Sequence, residues 1–166
     1  MAEDVAASDR VAVDLDGSGL RVAVVASRFN DHVTVRLLDG VRRGFAELGV
    51  SDTVEHWVPG AFELPFAAKT LAASGSFDGI VCVGSVIRGE TTHYEEVAGQ
   101  ASAGIQQAQL DTGVPIAFGV LTTEDLDQAL ARSEGPGGHN VGEDGARVVV
   151  EMARLVERVQ AGRHSG

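Results

Sequence analysis

Apolar positions along this chain follow two rhythms. Short, nearly continuous apolar runs at Arg21 to Ser27, Thr53 to Val58, Ile80 to Gly84 and Pro115 to Val120 read as strands. Between them the apolar spacing lengthens to three and four residues, the period of a helix with one buried face. Asp31 to Leu48 places Leu37, Leu38, Val41, Phe45 and Leu48 on one such face and stops at Gly49, a residue suited to a left-handed C-cap. After a Pro59-Gly60 turn, Ala61 to Ala73 predicts a second helix. His93 to Leu110 predicts a third, with Val97, Ala101, Ile105 and Ala108 inward. Glu124 to Arg132 predicts a short helix, Ser133 to His139 a glycine-rich loop, and Val141 to Gln160 a last helix. Near the start, Val11 to Leu15 alternates loosely and predicts a short edge strand, with a turn at Asp16 to Gly19.

Strands alternating with helices imply an α/β fold, a parallel sheet covered by helices on both faces. No internal repeat divides the chain, so residues 11–160 form one domain, with 1–10 and 161–166 expected as flexible ends. Two features of the helices ask for neighbours. Gly40 and Gly44 lie inside the first helix and each costs about 1 kcal/mol relative to Ala, so close packing is expected to compensate. The last helix carries Val148, Val149, Val150, Met152, Leu155, Val156 and Val159 around more than one side, which predicts burial against another subunit.

Charge narrows the partners. The formal net charge is −11, which excludes nucleic acid and anionic membrane surfaces as favoured partners. An anionic substrate must then be caught locally, by a few arginines or by a helix N-terminus. No apolar stretch approaches the roughly 18 to 20 residues of a membrane span. Met1 to Asp9 has no apolar core of a signal peptide. Cys82 is the only cysteine and lies in an apolar strand, so no disulfide or cysteine metal site forms within the chain, and a cytoplasmic location is expected. The histidines His32, His56, His139 and His164 lack metal-ligand spacing, and Lys69 is the only lysine available for a Schiff base.

Three loops leave the C-terminal ends of the first three strands, the edge at which open parallel sheets bind ligands. The first contains Phe29 and Asn30, the second Ala61, Phe62 and Glu63, and the third Val86, Ile87, Arg88, Gly89, Glu90, Thr91, Thr92 and His93. Phe29 either stacks on a flat heterocycle or folds back onto its own core. Asn30 reads more readily as a helix cap. Glu63 is either a favourable helix-dipole contact or an acceptor for hydroxyls. The third loop joins a glycine and free backbone N–H groups to a helix start, which suits an anion. Thr91 and Thr92 suit caps. His93 is an ordinary exposed histidine or a proton-transfer group, because a helix N-terminus disfavours the imidazolium and favours the neutral ring that accepts a proton. Arg132 complements a helix C-terminus or pairs an anion.

Taken together, RFN at 28–30, VPGAFELP at 58–65, VIRGETTHYE at 86–95 and GVLTTED at 119–125 resemble the lumazine synthases, over about residues 20 to 160. The resemblance implies a flavodoxin-like three-layer α/β/α sandwich with a four-stranded parallel sheet of order 2-1-3-4. It also implies a homopentamer with active sites between subunits. The implied reaction condenses 5-amino-6-(D-ribitylamino)uracil with 3,4-dihydroxy-2-butanone 4-phosphate to 6,7-dimethyl-8-ribityllumazine, with no cofactor or metal. The pathway neighbour is riboflavin synthase. Carried over by motif, Phe29 stacks on the pyrimidine beside Asn30, Val86 and Ile87 bracket the ring, and Phe118 helps wall the pocket. Ala61, Phe62 and Glu63 line the ribityl pocket. Gly89, Glu90 and Thr91 wrap the phosphate through backbone N–H groups, Arg132 of an adjacent subunit pairs it, and His93 transfers protons.

Ser133 to Gly142 departs from the family pattern. The loop is one residue longer, contains Pro136, and has Val141 where the family carries a lysine, while Asp144 falls near a family acidic position. Tyr94-Glu95-Glu96 has a glutamate where the family often has an aromatic. Since this loop helps decide between pentamers and sixty-subunit shells, the departure favours a free pentamer or a pair of pentamers, with Val11 to Leu15 able to add a strand to a neighbour's sheet. A paralogue that holds a flavin or lumazine without turnover, or that serves as a shell protein, is the alternative reading.

Overall fold

A computed structural model describes residues 11–164. The expectation of a flexible N-terminus at 1–10 lies outside these residues, as do the last two residues of the chain. Four strands, β1 (Arg21–Ser27), β2 (Asp52–Val58), β3 (Gly79–Ile87) and β4 (Ile116–Thr123), form one sheet in the order β2-β1-β3-β4. All three pairings are parallel. Five helices accompany them: α1 (Asp31–Leu48), α2 (Leu64–Ala73), α3 (His93–Thr112), α4 (Leu126–Ala131) and α5 (Val141–Gly162).

The alternation of each strand sorts the core into two layers. Val22, Val24, Val81 and Val83 face α1 and α5, where they meet Leu37, Val41, Val149 and Val150. Ala23, Val25, Ile80 and Cys82 face α2 and α3, where they meet Leu64, Ala68, Ala101 and Ile105. The three-layer α/β/α sandwich and the strand order 2-1-3-4 are therefore those expected. β1 and β3 are central strands covered on both faces, which is why their sequences show no polar alternation.

Differences from the sequence reading are local. Val11 to Leu15 forms no strand: it is largely exposed, and no strand lies beside it for its backbone to pair with. The segment after it is instead tied down at the turn, where Arg154 donates to the carbonyls of Asp16 and Ser18 at 2.6 Å each. Helix α2 begins with a 3-10 turn at Ala61–Glu63, and β3 runs on to Ile87. At the other end, α5 continues to Gly162, so part of the expected flexible tail is helical.

Gly40 and Gly44 are occupied within the chain. A side chain at Gly40 would overlap the Asn140 amide, and a Cβ at Gly44 would lie 2.7 Å from the Ala146 methyl. These glycines let α5 lie against α1, and they give no support to a subunit contact. On α5, Ala146, Val149, Val150 and Ala153 are buried, while Val148, Met152, Leu155 and Val159 stay exposed.

Asn140 is the junction of this corner. Its Nδ2 donates to Arg36 O at 3.0 Å and to Glu134 O at 2.9 Å, and its Oδ1 caps α5 by accepting from Glu143 N at 3.1 Å. A single antiparallel bridge, Ser133 with Asn140, closes the base of the 133–140 loop, and Arg36 Nε donates to Ser133 O at 2.9 Å. The start of α5 is thus set by Asn140 and the bridge. Pro136 stands at the loop's exposed tip.

Cys82 is wholly buried, and burial pushes its thiol from 9.0 up to about 12. The neutral thiol is the form the fold accommodates. Its contribution to stability is complete below the unfolded value near 9 and is lost as pH rises through the folded value. The native protein is expected to resist thiol reagents at pH 8 and to react at the rate of its unfolding. Modification as fast as that of a free thiol would contradict this burial.

Candidate active site

The order of the strands fixes the place of the site. β1 connects outward to β2, and the chain then returns to place β3 on the other side of β1, so the strand order reverses between β1 and β3. Beyond the C-terminal ends of β1, β2 and β3 lies a cleft of about 660 Å³. Backbone hydrogen bonds assemble its rim. Arg28 N donates to Val58 O at 2.8 Å and Phe29 N to Pro59 O at 3.0 Å, joining the first loop to the second.

Asn30 joins the first loop to β3. It has φ 60°, in the left-handed region that Asn tolerates better than most residues. Its side chain does not cap α1. Nδ2 instead donates to Ser85 O at 2.8 Å, so the simpler capping reading is corrected. The α1 amides Val33 N and Thr34 N bond to the Asn30 carbonyl. Local sequence cannot reveal this choice, because the competing acceptor lies on another strand.

Ten of the expected site residues meet in the cleft: Phe29, Asn30, Ala61, Phe62, Glu63, Val86, Ile87, Gly89, Thr91 and His93. Phe29 and Phe62 hold their rings exposed at its wall. Ala61 is buried behind them. The Glu63 carboxylate forms no hydrogen bond or ion pair with the rest of the described chain, which leaves both oxygens for hydroxyl donors. The sequence reading omitted Tyr94, Glu96, Ser85, Pro59 and Gly60 from the lining. It placed Val97 on the inward face of α3 without seeing that this position borders the cleft. Tyr94 adjoins His93 and was the most accessible of these to a motif-based reading.

Glu90, Phe118 and Arg132 are not part of this lining. Phe118 is 42% exposed on the edge strand β4. The side chain of Arg132, at the end of α4, makes one hydrogen bond among the described residues, from NH1 to Gln128 O at 3.0 Å. No Arg or Lys lines the cleft among the described residues.

The third loop leaves several backbone donors unpaired. The N–H groups of Gly89, Glu90 and Thr91 have no hydrogen-bond partner in the described chain. They stand at the N-terminus of the twenty-residue helix α3, whose dipole favours an anion. Thr92 precedes α3 without a side-chain cap, and Thr91 Oγ1 accepts from His93 N at 3.3 Å. The His93 imidazole is exposed to the cleft and has no hydrogen-bond partner in the chain. Elsewhere, Lys69 is paired with Asp111 at 3.2 Å, away from the lining. Among the described residues no cluster of His, Cys, Asp and Glu is placed to hold a metal ion, and no helix is long and apolar enough to cross a membrane.

A heterocycle-sized cleft with an aromatic wall, a free carboxylate, an amide-lined anion loop and one histidine is the arrangement that the motif resemblance implies. Comparison with known proteins agrees. A family model described as 6,7-dimethyl-8-ribityllumazine synthase matches residues 19–157. A chloroplastic 6,7-dimethyl-8-ribityllumazine synthase of Arabidopsis thaliana is 48% identical over 143 residues. That match covers 85% of this chain and 63% of the relative, so the chain spans less than two thirds of the relative's length. The matched region contains all four strands and the whole cleft, and the chain belongs to the 6,7-dimethyl-8-ribityllumazine synthase family.

Proposed function

We propose that the chain catalyses its family's reaction, the condensation of 5-amino-6-(D-ribitylamino)uracil with 3,4-dihydroxy-2-butanone 4-phosphate to 6,7-dimethyl-8-ribityllumazine, phosphate and water. The observation that carries this reading is the convergence of three strand-end loops on one cleft. Phe29 stacks on the pyrimidine, with Val86 and Ile87 at its edges. Asn30 keeps its amide oxygen free for the ring, since its nitrogen is held by Ser85. Glu63 accepts from the ribityl hydroxyls beside Ala61 and Phe62. The free amides of Gly89, Glu90 and Thr91 hold the phosphate, and the Glu90 side chain stays outside.

The substrate supplies the nucleophilic amine, so no enzyme lysine is needed. His93 moves protons as that amine adds to the ketone and as phosphate leaves. Much of the remaining acceleration comes from holding the two substrates in contact.

Among the described residues no Arg or Lys lines the cleft, and Arg132 lies outside it. This supports a site completed by Arg132 of an adjacent subunit, with Phe118 closing the pocket in the same way, within a homopentamer. The exposed apolar side of α5 is consistent with such an assembly. Light scattering should give a mass of five times the 17.3 kDa chain, or ten for paired rings. A monomer would contradict the shared site. We place the protein in the cytoplasm on its single buried thiol.

Purified protein given both substrates should form the lumazine chromophore with stoichiometric phosphate release, and neither substrate alone should do so. Binding of lumazine without turnover would indicate the non-catalytic paralogue instead. Phe29→Ala should weaken the pyrimidine by about 1 to 2 kcal/mol through lost stacking and burial, while leaving the affinity for the butanone phosphate unchanged. Calorimetric titration of each substrate separately measures both effects.

A further inference from the structure

Arg88 opens the anion-binding loop. Its backbone N donates to Thr123 O at 2.9 Å, fixing the end of β3 against the end of β4. Its side chain then reaches three places. Nε donates to Glu124 Oε2 at 2.8 Å, NH1 donates to Glu95 in the first turn of α3, and the guanidinium lies 4.3 Å from the centroid of the Tyr94 ring. Tyr94 in turn lines the cleft. One residue thereby binds the entry of the loop, its exit and the strand next to it.

The loop has little else to hold its shape. Gly89, Glu90 and Thr91 spend none of their N–H groups, and the side-chain bond within the segment is that of Thr91 Oγ1 with His93 N. An array of amides binds an anion well only when it is already ordered. We infer that Arg88 is a positioning residue that clasps the Gly89–Thr92 loop in its anion-binding shape through Glu124, Glu95 and Tyr94. This rests on the assignment of that loop to phosphate. Arg88 is not itself the phosphate ligand: two carboxylates satisfy its guanidinium, and it is not part of the cleft lining. Glu95 gains a role as one arm of the clasp.

The neighbouring acids provide the test. If Arg88 bound phosphate directly, removing a competing carboxylate would free it and tighten binding. If it acts as a clasp, removing the carboxylate loosens the loop. The full-length protein is therefore compared with Arg88→Ala, Arg88→Lys, Glu124→Gln and the Arg88→Ala, Glu124→Gln double variant. With each substrate varied in turn, Arg88→Ala should raise KM for the butanone phosphate on the order of tenfold, with KM for the pyrimidine unchanged. Glu124→Gln should raise the same KM, and the double variant should be no worse than Arg88→Ala. Arg88→Lys should recover little, because an ammonium cannot stack on Tyr94 and reach two carboxylates with a planar fork. A lower KM in Glu124→Gln overturns the inference, as does an equal rise for both substrates in Arg88→Ala.

Titration with inorganic phosphate, in the absence of either organic substrate, separates this inference from the proposed reaction. Weaker phosphate binding in both Arg88→Ala and Glu124→Gln supports the clasp even in a protein that forms no lumazine. Unchanged affinity in both variants refutes the clasp even in an active enzyme.

Discussion

Replacing His93 with alanine should lower kcat by roughly 10 to 10⁴-fold, the range expected for loss of a positioned general acid or base. The expectation rests on placement. The imidazole faces the cleft, has no hydrogen-bond partner to hold its nitrogens, and follows directly on the amides assigned to phosphate. A proton released at the amine or needed by the leaving group has few other acceptors there. Glu63 is assigned to the ribityl hydroxyls, and Glu96, in the first turn of α3, is the other carboxylate that borders the cleft. Activity should not vanish, because a cleft that brings both substrates together retains the advantage of proximity. Single-turnover formation of the chromophore isolates the chemical step. A rate equal to that of the unaltered protein would remove His93 from the mechanism, and a loss confined to KM would make it a binding residue.

Arg132→Ala should weaken the butanone phosphate by about 10 to 100-fold, with little change for the pyrimidine, because a charge-assisted hydrogen bond is worth about 1.5 to 3 kcal/mol. The more decisive result comes from mixing. The structure separates His93, inside the cleft, from Arg132, outside it. If each site draws these residues from different subunits, rings co-assembled from His93→Ala and Arg132→Ala chains contain some sites with both residues intact. Random assembly in equal amounts predicts recovery of about one quarter of the unaltered activity. Recovery no greater than the average of the two parent variants would show that Arg132 serves its own subunit or none.

The layers of the fold were readable because the core is built from uninterrupted runs. β1 and β3 are buried on both faces, so Val22 to Ala26 and Ile80 to Val83 run without a polar residue that would blur the strand pattern. The face of α1 is equally plain, with Leu37, Leu38, Val41 and Phe45 all buried. What stayed hidden depends on partners remote in sequence. The loose alternation of Val11 to Leu15 predicts a strand, yet a strand exists only where a neighbouring backbone accepts it. Gly40 and Gly44 signalled a close approach correctly, but nothing local could say that Asn140 and Ala146 make it. Asn30 has the composition of a cap, but the bond from its Nδ2 to Ser85 O turns the side chain toward β3 instead.

The site shows the same division. Motif order placed ten residues that the cleft gathers, whereas Glu90, Phe118 and Arg132 lie outside its lining. Arg88 carried no role in the sequence reading. Its meaning depends on Glu124 approaching from the end of β4, a contact made only when β3 and β4 pair.

The closed base of the 133–140 loop sets apart two requirements that usually compete, change and precision. The bonds that fix the neighbourhood of Arg132 lie at the base of the loop, from Val141 N to Arg132 O at 3.0 Å up to Glu134 N to His139 O at 2.9 Å, just past the Ser133 and Asn140 bridge. The residues above it, Gly135, Pro136 and Gly137, are exposed. Added length there is accommodated at the tip, and its entropic cost grows only slowly with length. This corner can therefore vary between relatives, or accept a grafted peptide after Gly135, without moving the arginine beneath it. Such a graft should leave the thermal midpoint and the KM for the butanone phosphate as they were. A shift in that KM would show that the bridge does not insulate the site from its own loop.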